Sequence, residues 1–421
     1  MSIWQIKGGA HLSGSTRVQG AKNSVLPIMA ASILAGCDTE LLNCPDLSDV
    51  RASISILEHL GCSVVRDGDV VNISSGEMCR CEIPHTLMRE MRSSVIFLGA
   101  ILVRCGEAVL SLPGGCELGP RPIDLHLKAL RELGAEVESR GGNIICRAKE
   151  LKGARINLAT PSVGATENSM LAACGAKGTT VIQNAAREPE IMDLQSYLRQ
   201  LGADIEGAGT STIVVHSFKP QKNVGHRVMP DRIVASTLLC AAAATGGDLE
   251  LKAVDPAHFE TVSASLEEMG CLVIRGENKV RLISNGWLKS AKPISTRPFP
   301  GFPTDAQPNL MSACLKAKGT TVFVENIFEN RFRHAEELCR LGADIKTEGR
   351  VAMVTGVKRL IGCPVTTTDL RGGAALVTAA LCAEGETLVH DNDGHIDRGY
   401  EGLDVQLREL GADVQKIDNG R

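Results

Sequence analysis

The chain has 421 residues, 43% hydrophobic, 22% charged and only 3% aromatic, which suits two or three globular domains with cores built from Ala, Leu, Val and Ile. A net charge of -4 and a pI of about 6.2 exclude a general nucleic-acid binder, so an anionic ligand must be held by a local arrangement. No apolar run reaches the roughly 18 residues of a membrane span, and the opening MSIWQIKGGAHLSG lacks the basic-then-apolar order of a signal peptide. The fifteen cysteines are scattered, with no C-x-x-C pair and no histidine at zinc spacing. They read as mostly reduced core residues of a cytoplasmic protein that needs no metal.

In chain order, a first helix is predicted from Lys22 in KNSVLPIMAASILA. It is apolar nearly all round and therefore buried. A turn at Gly36, a short strand and an amphipathic helix follow, and that helix ends in the tag HLGCSV around Gly61. The order then recurs with apolar helices in RSSVIFLGAILVRC, GATENSMLAACGAK, RIVASTLLCAAAATG, DAQPNLMSACLKAK and RGGAALVTAALCAE. Their turn glycines are Gly106, Gly178, Gly247, Gly319 and Gly385, and their tags centre on Gly134, Gly202, Gly270, Gly342 and Gly411. Successive tags lie 68 to 73 residues apart, turn glycines precede tags by 23 to 28, and apolar helices begin 14 or 15 residues before the turn glycine. Each tag reads as a leucine or methionine closing a helix, a glycine in the left-handed cap, then a strand. Six such units predict an α/β fold of two domains with three repeats each.

The last unit stops soon after LGADVQKIDNGR and lacks a strand that the others have. SIWQIKGG and GSTRVQG near the N-terminus are able to supply it. This places residues 1–20 with 230–421 in one domain and 21–229 in the other, with two chain crossings, near Gly20 and Met229, forming a hinge and a site in the cleft.

Helix N-termini carry unpaired N–H groups and partial positive charge, which favour anions. The residues at the six starts are Lys22 and Asn23; Arg92; Ser162, Val163 and Gly164; Asp231 and Arg232; Thr304 and Asp305; Asp369 and Arg371. Capping and salt bridging explain any one of these charges alone, but less readily the whole set. Arg121, Arg331 and Arg398 add cations, and together they indicate a phosphorylated or multiply anionic substrate. No Walker-type glycine motif is present. SLPGGCELGPRPIDLH places Cys116 between glycines and just before Arg121, a setting for a reactive thiol rather than an inert core one.

GAKNSVLPIMAASILAG, SLPGGCELGPRPIDLH, PSVGATEN, GFPTDAQP, NIFENRFRH, TTDLRGG and HIDRGYE together resemble the UDP-N-acetylglucosamine enolpyruvyl transferases, in order and at that family's spacing from Gly20 to Glu401. The resemblance implies an inside-out α/β barrel of two domains, each of three βαβαββ units. It implies transfer of the enolpyruvyl group of phosphoenolpyruvate to the 3'-hydroxyl of UDP-N-acetylglucosamine with release of phosphate, the first committed step of peptidoglycan synthesis, without a cofactor. The chemical difficulty is that an enol ether carbon is a poor electrophile. The methylene must be protonated before the sugar hydroxyl can attack, and a proton must later be removed, in a site that holds several negative charges away from water.

Carried over by the resemblance, Cys116 is the loop acid and the site of a covalent adduct with phosphoenolpyruvate or with an epoxide antibiotic, fosfomycin. Asp305 is the base for the hydroxyl proton, with a helix cap as its structural alternative. Lys22, Asn23, Arg121, Arg331, Arg371 and Arg398 contact phosphoenolpyruvate, with Lys22 and Arg398 also counted as catalytic. Asn23, Arg92, Arg121, Pro122, Ile123, Asp124, Leu125, Ser162, Val163, Gly164, Asp305 and Ile327 contact the sugar nucleotide. Phe328 packs beside the ligand or in the core, and His126 is a strut. The chain departs from the pattern at Pro161, where some members carry a basic pair. Two other readings stay open: transfer to shikimate phosphate, and a non-catalytic paralogue that binds the sugar nucleotide. No nucleic-acid or membrane partner is expected.

Overall fold

The computed structural model describes residues 2–91, 93–111 and 123–418. Two compact units form. One takes the chain through Gln19 and resumes at Pro230; the other occupies Gly20 to Met229. Gly20 belongs to the second, where a β-carbon on it would lie 1.8 Å from the Asn43 carbonyl, so no larger residue fits this backbone approach. Each unit has its own core: one is drawn from residues between Val25 and Val228, the other from Trp4 to Val18 together with Val234 to Val414.

Six four-stranded sheets share one pairing pattern: an edge strand runs parallel to its neighbour, and the remaining pairs are antiparallel. In the Gly20–Met229 unit the parallel pairs are Asn223–Arg227 with Asp38–Leu42, Glu82–Ile83 with Glu107–Ser111, and Arg155–Asn157 with Thr180–Gln183. In the other unit they are Ser13–Arg17 with Asp248–Lys252, Ile294–Ser295 with Thr320–Val324, and Pro364–Thr366 with Glu386–Asp391. Strand burial alternates, so one sheet face is wet, as suits mixed sheets packed on one side only.

The N-terminal strand Ser2–Lys7 lies inside the last sheet, antiparallel to both Glu386–Asp391 and Asp413–Asp418. It supplies the strand the final repeat lacks, and its Trp4 and Ile6 are buried.

The apolar helices Lys22–Ala31, Val163–Cys174, Arg232–Thr245 and Leu370–Leu381 start at or within a residue of the charged or glycine positions read from sequence. Two start later. The second begins at Phe97, after a 3-10 turn Ser94–Ile96, so its start is not at Arg92, which lies outside the described residues. The fifth begins at Gln307, where Pro308 is tolerated because its missing N–H falls in the first turn. All six tag glycines have φ between 94° and 110°, the left-handed cap that ends the amphipathic helices. In the fourth repeat the turn conformation belongs to Gly246, φ 72°, rather than Gly247.

Among the described residues fourteen cysteines are free. Eight are buried, in line with the expectation that most would be core, while Cys79, Cys105 and Cys339 are exposed and three more are half-buried. The exposed ones sit at helix ends and in connections, where the repeat turns away from its core.

The central place of the first strand has a measurable consequence. Residues so near a terminus are usually cheap to alter. Ile6→Ala is expected to cost about 2–5 kcal/mol in urea unfolding, the cost of a core truncation. A loss below about 0.5 kcal/mol would show that the strand is not integral to its sheet.

Candidate active site

Asp305 is the centre of charge in the unit that resumes at Pro230. Arg331 donates from Nη2 to Oδ1 at 3.3 Å, and Arg371 donates from Nε and Nη2 to Oδ2 at 3.3 and 3.2 Å. Both guanidiniums belong to residues only 1% exposed. Arg331 also donates to the Thr304 carbonyl from Nε and Nη2, at 3.2 and 3.0 Å, and its Nη1 lies 3.7 Å from Asp369 Oδ1. A buried charge without such partners would be costly, so this set is held in one geometry.

The capping alternative for Asp305 is not what forms. The N-cap of Gln307–Cys314 is Ala306, with no side-chain cap, and Asp305 is spent on the arginines. Asp369 is the residue that caps. Its Oδ1 accepts from the Arg371 and Gly372 backbone N–H groups at 3.0 and 3.1 Å. Burial pushes its carboxyl pKa up, but Arg331, His334 and those two N–H groups together hold it below its ordinary value. Asp231 caps Arg232–Thr245 in the same way, through Ile233 and Val234.

Arg371 stacks over the Tyr400 ring at 5.3 Å, and its Nη1 is buried with no hydrogen-bond partner among the described residues. Arg331 lies 5.7 Å over the Phe328 ring, so Phe328 supports the cation. Arg398 is half-buried at the end of a short turn, Ile396–Arg398. Asp391 fixes that turn by accepting from the His395 and Ile396 N–H groups at 2.7 and 3.0 Å. Gln19 grips the following loop through Gly399 and Glu401.

Ile327 is 39% exposed on a loop held by Glu325, whose Oε1 accepts from the Ile327 and Phe328 N–H groups while Oε2 accepts from Thr304. Glu325 was not read from sequence; a lone acid after a strand carries no signal there. Gln307 and Asn309, 1% and 0% exposed, have side-chain amides without partners among the described residues.

In the Gly20–Met229 unit, Lys22 is 7% exposed and pairs with the buried Asp49 at 2.6 Å. Asn23 is half-buried beside it. Pro27, inside this helix, has no N–H to return to the Asn23 carbonyl four residues earlier. Ser24 donates to Asp193, which also accepts from the Met229 N–H at 3.1 Å and is bonded to His226.

Ser162 caps Val163–Cys174, accepting from Ala165 at 3.4 Å, and Val163 and Gly164 are half-buried at that start. Ile123 and Leu125 are half-buried and Asp124 exposed at the start of Asp124–Glu132. These two starts are tied together. A β-carbon on Gly164 would lie 3.1 Å from His126 Cε1, and Asn168 bonds His126 Nδ1 at 2.7 Å. His126 is therefore a strut, and Asn168, which also reaches Val95 and Gly99, is the partner that sequence alone did not show. Cys116, Arg121, Pro122 and Arg92 lie outside the described residues. No group of three or more His, Cys, Asp or Glu side chains fit to hold a metal occurs among the described residues.

Six like sheets, with Asp305 held between two buried arginines near a helix start, agree with an α/β enolpyruvyl transferase fold. A family model described as EPSP synthase (3-phosphoshikimate 1-carboxyvinyltransferase) matches residues 6–407, and the chain belongs to that family. It is 49% identical to UDP-N-acetylglucosamine 1-carboxyvinyltransferase 2 of Caldanaerobacter subterraneus subsp. tengcongensis over 417 residues, 99% of this chain and 100% of that one. It is 46% identical to UDP-N-acetylglucosamine 1-carboxyvinyltransferase of Geotalea uraniireducens over 412 residues, 98% of each chain. Among solved structures, the enolpyruvyl transferase NikO from Streptomyces tendae superposes with a TM-score of 0.87 at 28% identity, over 99% of this chain and 98% of that one. EPSP synthase from Acinetobacter baumannii superposes at 0.75 with 20% identity, over 99% of this chain and 100% of that one, a likeness of fold.

Each unit holds a buried neutral histidine, and this sets a pH dependence. Burial lowers the His126 pKa to about 4. Burial, with a further push from Arg331 against the pull of Asp369, lowers that of His334 to about 4. The unfolded value is about 6.5. As pH falls below it the unfolded chain takes up protons that the fold refuses, so stability is full above about 6.5 and is lost progressively towards 4. Each histidine should contribute a slope of up to ~1.4 kcal/mol per pH unit in that window. Denaturation at several pH values should show it, and His126→Gln should flatten the slope for its own unit. A pH-independent midpoint between 6.5 and 4.5 would contradict this.

Proposed function

We propose that the chain transfers the enolpyruvyl group of phosphoenolpyruvate to the 3'-hydroxyl of UDP-N-acetylglucosamine and releases phosphate, the first committed step of peptidoglycan synthesis. One observation carries the reaction class: Asp305 sits between two buried guanidiniums at a helix start, a base and an anion site in one place. The acceptor is supported by near-half identity along the whole chain to proteins named for that sugar nucleotide, against one-fifth identity to an EPSP synthase of similar fold.

In this reading the six sheets are copies of one βαβαββ unit, three to each half of an inside-out α/β barrel. Residues of both units, Gly20–Met229 and the chain through Gln19 with Pro230 onward, take part in the reaction. Lys22, Arg121, Arg331, Arg371 and Arg398 hold the phosphate and carboxylate of phosphoenolpyruvate. Asn23, Arg92, Arg121 to Leu125, Ser162 to Gly164 and Ile327 hold the sugar nucleotide. Cys116 delivers the proton to the methylene carbon, the sugar hydroxyl attacks the cationic carbon so formed while Asp305 takes its proton, and loss of phosphate together with a proton of the new methyl group restores the double bond.

The geometry supports a particular order of events at Asp305. Its oxygens are engaged by Arg331 and Arg371. A phosphorylated donor offers those guanidiniums a more highly charged partner, and an oxygen so released is available to the hydroxyl. Glu325, by holding Thr304 and the Ile327 loop together, keeps this oxygen in place.

Phosphate release from phosphoenolpyruvate should require UDP-N-acetylglucosamine and not be supported by shikimate phosphate. Binding of the sugar nucleotide without release would favour the non-catalytic reading instead. Asp305→Asn should lower turnover on the order of 10²–10⁴-fold with a smaller change in sugar-nucleotide affinity. Near-normal turnover would reduce Asp305 to a structural ion. A phosphonate epoxide should inactivate the enzyme with time, faster with the sugar nucleotide present, and place its adduct on the peptide holding Cys116. An adduct on another cysteine would remove Cys116 from the role of loop acid.

A further inference from the structure

The unit that resumes at Pro230 also exposes a tryptophan. Trp287 is 85% exposed, in a protein with only two tryptophans, the other being the buried Trp4. Its backbone is held firmly. The Trp287 N–H donates to Asn285 Oδ1 at 3.0 Å, the Gly286 N–H donates to Ser284 Oγ at 3.0 Å, and Leu288 beside it is buried. An indole presented to solvent on an ordered turn forgoes the burial its apolar area would favour.

Cations gather around this turn from three stretches of chain. Lys289 bridges to Lys318, and Lys318 donates its backbone N–H to the Leu288 carbonyl at 2.8 Å. Lys316 lines one recess with Gly286, Leu288 and Leu360. Lys358 and Arg359 precede Leu360, and Ile361, 53% exposed, follows it. Lys289, Lys316, Lys318, Lys358 and Arg359 are exposed, and no ion pair or side-chain hydrogen bond engages them among the described residues. Of the carboxylates that share this end, Glu268 is taken by Lys292 at 2.7 Å, and Glu384 stands beside Leu360. The patch is thus strongly positive on a protein whose net charge is -4.

We infer that this end of the unit, with Trp287 at its tip and Lys289, Lys316, Lys318, Lys358 and Arg359 around it, docks on an anionic phospholipid bilayer. The occupant follows from the chemistry. An indole prefers the headgroup boundary of a bilayer, where its ring is in apolar surroundings and its N–H is solvated. Lysines and arginine around it keep their charges in the headgroups while their stems cover apolar surface. Each cation near an anionic leaflet favours binding by roughly five-fold, falling off with salt. The attachment is peripheral, in departure from the sequence expectation of no membrane partner: no described helix is long and apolar enough to cross a membrane.

The test uses the full-length protein and vesicles of either phosphatidylcholine alone or an equimolar mixture with phosphatidylglycerol, at low and high salt. Co-sedimentation is expected with the anionic vesicles only, weakening with salt. Indole emission should shift to the blue on binding, a signal that belongs to Trp287 because Trp4 is already buried. Trp287→Ala should abolish the shift. Lys289→Glu with Lys318→Glu should weaken binding about 10-fold or more. Both variants should release phosphate in vesicle-free solution at the parent rate, so a failure here is distinguishable from a failure of the proposed reaction. Absence of binding to anionic vesicles at low salt would overturn the inference, as would binding unchanged in both variants. Self-association or DNA retention that depends on Trp287 without vesicle binding would assign the face to another partner and overturn it equally.

Discussion

Two guanidinium groups held almost entirely out of water must each find negative charge, and Asp305 serves both. Much around it follows from that requirement. Arg331 can be buried only because Thr304, Asp305 and Asp369 surround it, so the loop before Gln307–Cys314 and the cap of Leu370–Leu381 are placed by the same ion set. Asp369 in turn has its carboxylate charge sustained by Arg331 and by the helix N–H groups it caps. Removing one member leaves another buried and unpaired, which is why the array behaves as a unit rather than as a sum of pairs.

The repeat explains how such an array is assembled from a chain with no long-range charge pattern. Each apolar helix is buried on nearly all sides and ends near a glycine turn, so its start is the place where polar groups meet the core edge. The N-terminal strand inserted between Glu386–Asp391 and Asp413–Asp418 closes the last sheet and ties the two ends of the chain into one core.

What was legible in the sequence is what depends on local rules. The tag glycines had to be left-handed caps, and they are, because only glycine takes φ near 100° without strain. The missing strand of the final repeat was visible as a shortfall in length. The start at Phe97 was not visible, because a 3-10 turn costs the chain little and leaves no compositional trace. Asp305 was readable as a charged residue near a helix start, but whether it caps or pairs depends on Arg331 and Arg371, 26 and 66 residues away. Glu325, Asn168 and Asp49 escaped for the same reason: each acts through a partner distant in sequence, Thr304, His126 and Lys22 respectively. The basic patch around Trp287 is invisible to net charge, since its cations come from three separate stretches within an acidic whole.

The paired state of the cations also bears on selectivity in the proposed reaction. Lys22 is held by Asp49, and Arg331 and Arg371 by Asp305. A ligand with one negative charge merely replaces a carboxylate that is already in place with good geometry, and gains little. In the proposed reaction, a phosphate adjoining a carboxylate presents more charge than any single internal partner. In the proposed reaction, internal carboxylates would then compete with the ligand, so discrimination would come from what the ligand must outcompete as well as from what it contacts.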